Sequence, residues 1–151
     1  MDAMKSRRDV KVYKLGQERV LPIGPLTFHV KHRYVIIDGV EDWGASIDVM
    51  ADIGGKETEV LSFDCFKNGP HYHAPGSSKP ISLDPKSVGD GLEWTMGIFH
   101  EHLPEMLSMA GYMDFAKTID RELFAKRWVE VKQAVLETAP AAYVVPVNAQ
   151  A

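Results

Sequence analysis

Two histidines one residue apart, His71 and His73, stand in the stretch FDCFKNGPHYHAPG, residues 63–76. They lie behind a Gly-Pro pair and a few residues after an apolar run that holds the only cysteine, Cys65. If this segment is extended, side chains repeat every two residues, so both imidazoles point to one side and Tyr72 to the other. Two imidazoles on one side make half a metal site, because neutral imidazole suits zinc, iron, copper and nickel. A third donor must then come from elsewhere. Asp64 has the polar parity of the preceding strand. Cys65 shares its parity with Leu61 and Phe63 and is expected to pack as a small hydrophobe. His102 stands three residues before Glu105, a spacing that bundle metal sites use and that surface ion pairs use as well. The metal set is therefore His71, His73 and His102, holding a divalent transition metal. The same stretch could instead work without a metal. His71 or His73 would move protons near neutral pH, Asp64 would orient the ring and Tyr72 would be a second donor.

His29, His32 and His100 read as structural. His100 and His102 lie about 200° apart on an ideal helix. Pro104 cannot donate to the carbonyl of His100, which puts a kink or break at this pair. His32 interrupts an apolar strand face and is expected to be partly buried and satisfied by a neighbour; the other role open to it is a base or ligand at the mouth of the core. His29 shares a polar face with Lys31 and Arg33. The chain has no Ser-His-Asp spacing, phosphate-binding glycine loop, zinc-finger cysteine pattern or dinucleotide fingerprint.

The elements that must position these groups follow from periodicity. From Leu26, residues 26, 28, 30, 32, 34 and 36 share one parity and are apolar except for His32. Thr27, His29, Lys31 and Arg33 take the other parity until Val35 and Ile37 make it apolar too, which reads as a long strand. SIDVMADI (46–53) and TEVLSFDCF (58–66) read as two more strands around a Gly54–Gly55 hairpin turn. Residues 90–112 have helical spacing with Asp90 as cap, and a second helix is expected over 115–138 with Asp114 as cap. Strands followed by helices indicate an α+β fold: an antiparallel sheet of three to five strands packed by two C-terminal helices. Residues 18–138 form the domain, 1–17 an N-terminal arm and 139–151 an extended tail.

Composition narrows the function classes. At 151 residues, 45% hydrophobic and 25% charged, the chain fits one globular domain with a true core. A net charge of −4 and a pI near 5.8 argue against a dedicated nucleic-acid binder. The first 14 residues nevertheless carry five Lys or Arg against two Asp. One cysteine excludes an intrachain disulfide. The absence of a signal-like or membrane-length apolar run points to a cytoplasmic protein with no membrane partner. The tails suit contact with a larger protein subunit or a second copy, and the histidine patch suits a small molecule.

The order HRYVII, VLSFDCF, NGPHYHAPG and then a helix resembles the TumE-like toxins of bacterial toxin–antitoxin systems. On that resemblance Asp64, His71 and His73 match the family's aspartate and His-x-His, and the implied activity is acid–base chemistry on RNA. The match spans residues 31–110. It departs where the family has Asp-Asn and this chain has Asp64-Cys65. The FDCF…PHYH stretch is also similar to bacterial proteins with no assigned activity. The histidine pair does not extend to a cupin pattern, since APGSSKPISLD lacks the glutamate that follows. Three readings follow: a small protein with a histidine-rich metal or small-molecule site, alone or as an enzyme's small subunit; a toxin-like protein acting on RNA; and a non-catalytic binding or assembly module.

Overall fold

The strand expected from Leu26 forms as β2, Leu26–Ile37, in the computed structural model, which describes residues 9–74 and 80–146. Its even-numbered side chains Leu26, Phe28, Val30, His32 and Tyr34 are buried, as the alternation requires. Asp38 and Gly39 turn the chain with positive φ at both positions, the conformation of a tight two-residue hairpin. β3 (Val40–Ile53) and β4 (Lys56–Phe66) follow, joined at Gly54–Gly55, where both φ values are also positive. β3 starts at Val40, six residues before the expected SIDVMADI, and Gly44 lets it pass close to β4. A Cβ there would lie 2.3 Å from the Cys65 carbonyl oxygen.

Among the described residues six strands, not three to five, form one antiparallel sheet in sequence order. The additions are β1 (Val10–Ile23), β5 (His71–His73) and β6 (Ile81–Ser82). The last two are too short to show a periodic pattern. β1 corrects the expected arm, since strand structure begins at Val10 rather than after residue 17. Its pattern is masked by a bulge between Leu15 and Arg19, with Gly16 at φ +66°. Three residues there oppose one on β2, so polar residues crowd together in the sequence. Residues 1–8 and 147–151 of the expected tails lie outside the described residues.

The helical half is more broken than its periodicity suggests. A short α1 (Pro85–Val88) precedes α2 (Gly91–Gly97), capped by Asp90, whose carboxylate accepts the Leu92 N–H. A π-helical turn, Ile98–His102, then leads into α3 (Leu103–Met109). The irregular turn falls at the histidine pair, where Pro104 removes a donor. α4 (Met113–Ala116) is a single turn. α5 runs only from Arg121 to Thr138, because Asp120 rather than Asp114 caps it, accepting from the Glu122 and Leu123 N–H groups.

The helices cover one face of the sheet. Phe99 meets Phe28 and Phe63 edge-on at centroid distances of 5.1 and 5.2 Å, and Phe124 lies 6.3 Å from Phe28. Burying such rings is the main stabilisation of this layer, at about 2–3 kcal/mol each. The opposite strand parity carries Lys31, Ser46, Asp48, Ser62 and Asp64, away from the helical layer.

Candidate metal centre

Strand register assembles the site. β4 pairs antiparallel with β5, setting Asp64 opposite His71 and Ser62 opposite His73; β3 sets Ser46 opposite Asp64. Directly paired residues share a face, so Ser46, Asp64 and His71 form one cross-strand row, with Ser62 and His73 in the next. This is the face opposite the helices. Nε2 of His71 lies 2.9 Å and Nε2 of His73 3.4 Å from Oδ2 of Asp64. One donor atom from each of the three lies within 4.8 Å of the others. Donors bonded to one ion at about 2.0–2.1 Å, at octahedral to tetrahedral angles, stand roughly 2.9–3.4 Å apart. The two measured spacings fall in that range.

Two of the remaining polar atoms, Asp64 Oδ1 and His71 Nδ1, are engaged by neighbours. Ser46 Oγ donates to Asp64 Oδ1 at 2.6 Å. His71 Nδ1–H donates to the Gly69 carbonyl at 2.9 Å, which leaves Nε2 as the nitrogen facing Asp64. That carbonyl belongs to a turn held by Asp42. Its Oδ1 accepts the Asn68 N–H and its Oδ2 the Gly69 N–H, at 3.0 and 2.7 Å. Below the turn, Pro70 packs against Gly91 so closely that a Cβ on Gly91 would meet it at 2.7 Å. The Gly-Pro pair thus locks the start of β5 to the helical layer while His71 and His73 face the other way.

Electrostatics follow from this packing. Burial works to raise the Asp64 carboxyl, but hydrogen bonds from His71 and Ser46 and the nearby positive charges of His71 and Arg33 outweigh it. The group is held below the ordinary carboxylate range. Burial works to lower His71, yet the Asp64 carboxylate and the Gly69 carbonyl raise it overall. With acceptors on both nitrogens, the free ring is stable as an imidazolium. A metal ion offers the other solution: Nε2 gives its lone pair to a cation that Asp64 also binds, while Nδ1–H keeps its carbonyl.

The other expected site residues are elsewhere. Tyr72 points into the core and stacks on Phe63 and Trp94, at 5.9 and 5.8 Å, so it cannot act as a second donor beside the histidines. Alternation in β5 forces that direction. His102 is not brought to His71 and His73. It sits on the helical layer, 3.7 Å from Glu101 and 3.9 Å from Glu105, and Glu105 is bound by Arg121. His100 stacks on Trp128 at 5.2 Å. Cys65 donates its thiol proton to Thr95, and burial pushes its pKa up to about 12, so it is packed and unreactive.

His32 is buried and satisfied at both nitrogens. Thr138 Oγ commits its proton to the Ala134 carbonyl, so His32 Nε2–H donates to Val135 O and Thr138 Oγ, and Nδ1 accepts from Tyr143. The described part of the C-terminal tail therefore docks on its own core. Ser46, Asp42 and the Gly69 carbonyl were not singled out from the sequence. Counting register from the Gly54–Gly55 turn would not have found Ser46, because a bulge in β4 shifts the pairing by one residue.

A family model described as a domain of unknown function, DUF7700, matches residues 20–135. No curated protein and no solved structure matches the chain. The matched span includes all three of the converging residues and both elements that present them.

Proposed function

The chain belongs to the DUF7700 family, and we propose that it binds a divalent transition metal through Asp64 Oδ2, His71 Nε2 and His73 Nε2 and uses that ion to engage a small molecule. The observation that carries this reading is the convergence of three donor atoms, with Asp64 Oδ1 and His71 Nδ1 held by Ser46 and the Gly69 carbonyl. Two imidazoles and one carboxylate suit zinc or iron(II). Three protein donors leave coordination positions open, the mark of sites that do chemistry rather than hold structure. An ion there would polarise a bound carbonyl or lower the pKa of a bound water. Metal analysis of purified protein, with thermal unfolding at increasing zinc, tests it. One equivalent per chain and a zinc-dependent rise in Tm are expected, both lost in His71→Ala/His73→Ala. No retained metal, and a Tm indifferent to zinc, would contradict it.

A second reading uses the same residues without an ion. His71, whose pKa the Asp64 carboxylate raises against the effect of burial, and His73, with ring centroids 5.0 Å apart, would form an acid–base pair on a face that also carries Lys31 and Arg33. This is the arrangement that the toxin resemblance implies for RNA cleavage. Harmless expression of the wild type in a bacterial host counts against it. Growth arrest that His71→Ala relieves supports it.

A further inference from the structure

Beyond His71 the helix-free face stops being polar. The alternation of β2 ends at Val35, and Phe66 continues the parity of Asp64 on β4. Val35 is only 4% and Phe66 6% exposed, although they lie on the face opposite the packed helices of the described residues. They line a cavity of about 710 Å³ that also touches Ile37, Val40, His71 and His73. Phe66 meets the His71 ring edge-on at 5.6 Å, so the apolar wall begins where the donor cluster ends. The size is that of a small-ligand site, and an apolar strip with a few polar groups around it is typical of one. Two wall carboxylates, Asp38 and Asp42, accept main-chain N–H groups from Asp9 and from the 67–70 turn.

We propose that this cavity binds a medium-chain aliphatic carboxylate, its head on the metal held by Asp64, His71 and His73 and its chain along Val35, Ile37, Val40 and Phe66. The inference rests on the metal reading above. A divalent ion with one carboxylate ligand keeps a net positive charge, which favours an anionic head group. The wall beyond it offers hydrocarbon contact along Val35, Ile37, Val40 and Phe66, and among its described residues the side-chain donor besides the histidines is the Ser82 hydroxyl.

Titrating cobalt(II)-loaded protein with acetate, butyrate, hexanoate and octanoate, read from the cobalt visible spectrum, tests it. Affinity should rise roughly three- to fourfold per methylene while the chain is being buried. Val40 is 69% exposed, so Val40→Asp leaves the fold intact, which circular dichroism checks. It should weaken octanoate about tenfold or more and leave acetate unchanged. Cobalt that binds, with affinity flat across chain length or a spectrum that no carboxylate changes, overturns this inference and leaves the metal reading standing. Octanoate binding that Val40→Asp leaves untouched also overturns it. Cobalt that fails to bind at Asp64, His71 and His73 overturns the metal reading and this inference together.

Discussion

His32 and the His71/His73 pair sit on opposite faces of one sheet and have opposite chemistry. On the helix-covered face, His32 is 1% exposed and each ring nitrogen has its own partner: Tyr143 on one side, the end of α5 on the other. Burial lowers its pKa, and it is a neutral cross-link between strand, helix and tail. On the bare face, two imidazoles share one carboxylate oxygen. Satisfaction marks a histidine that holds structure, and convergence marks one that can take a ligand. Burial alone does not separate them, since Asp64 is itself 6% exposed.

That contrast breaks first, and most widely, at Asp64. Asp64→Ala should weaken zinc by about a thousandfold, because four-ligand zinc sites reach ~10–16 kcal/mol and each donor carries a few kcal/mol of it. Calorimetric titration measures this, and His32→Ala should leave zinc binding unchanged. The reverse holds for stability. His32→Ala opens a buried gap and removes the hydrogen bonds to Val135 and Tyr143, costing about 2–4 kcal/mol in urea unfolding. The pH profile sharpens it. The unfolded histidine takes up a proton before the native one does, so the His32 contribution is complete above about pH 6.5 and is lost as pH falls toward its lower native value. Subtracting the profile of His32→Gln from that of the wild type isolates the slope; a difference flat from pH 7 to 5 would contradict the neutral assignment.

Smaller effects test the supporting groups on each face. Ser46→Ala, which frees Asp64 Oδ1, should cost about tenfold in zinc affinity, the low end for an outer-shell partner. Tyr143→Phe removes one hydrogen bond to His32 and should cost about 1 kcal/mol of stability, with zinc affinity unaffected. A zinc effect from Tyr143→Phe would mean that the two faces are coupled.

Parity made much of this legible in the sequence. It gave Asp64 the polar face and Cys65 the core face of one strand, set His71 and His73 on one side of the next with Tyr72 on the other, and gave β2 its observed ends. It could not reach the partners across strands. Followed regularly from Gly54–Gly55, the hairpin register would set Ser46 opposite Phe63. A bulge that adds Val60 to β4 moves it by one, to Asp64. The bulge leaves Val60 and Leu61 both buried, and in sequence that pair reads only as a hydrophobic step. β1 was obscured in the same way by its bulge at Gly16. His102 was misplaced because a His-x-x-Glu spacing describes a surface ion pair as well as a ligand pair, and only the sheet's orientation separates them.

X-ray absorption at the zinc edge tests the centre most directly. The account predicts a first shell of nitrogen and oxygen donors near about 2.0–2.1 Å, with outer-shell scattering from two imidazoles that falls to one in His73→Ala. A shell of oxygen alone, a sulfur donor near about 2.3 Å, or an imidazole count unchanged by that substitution would contradict it.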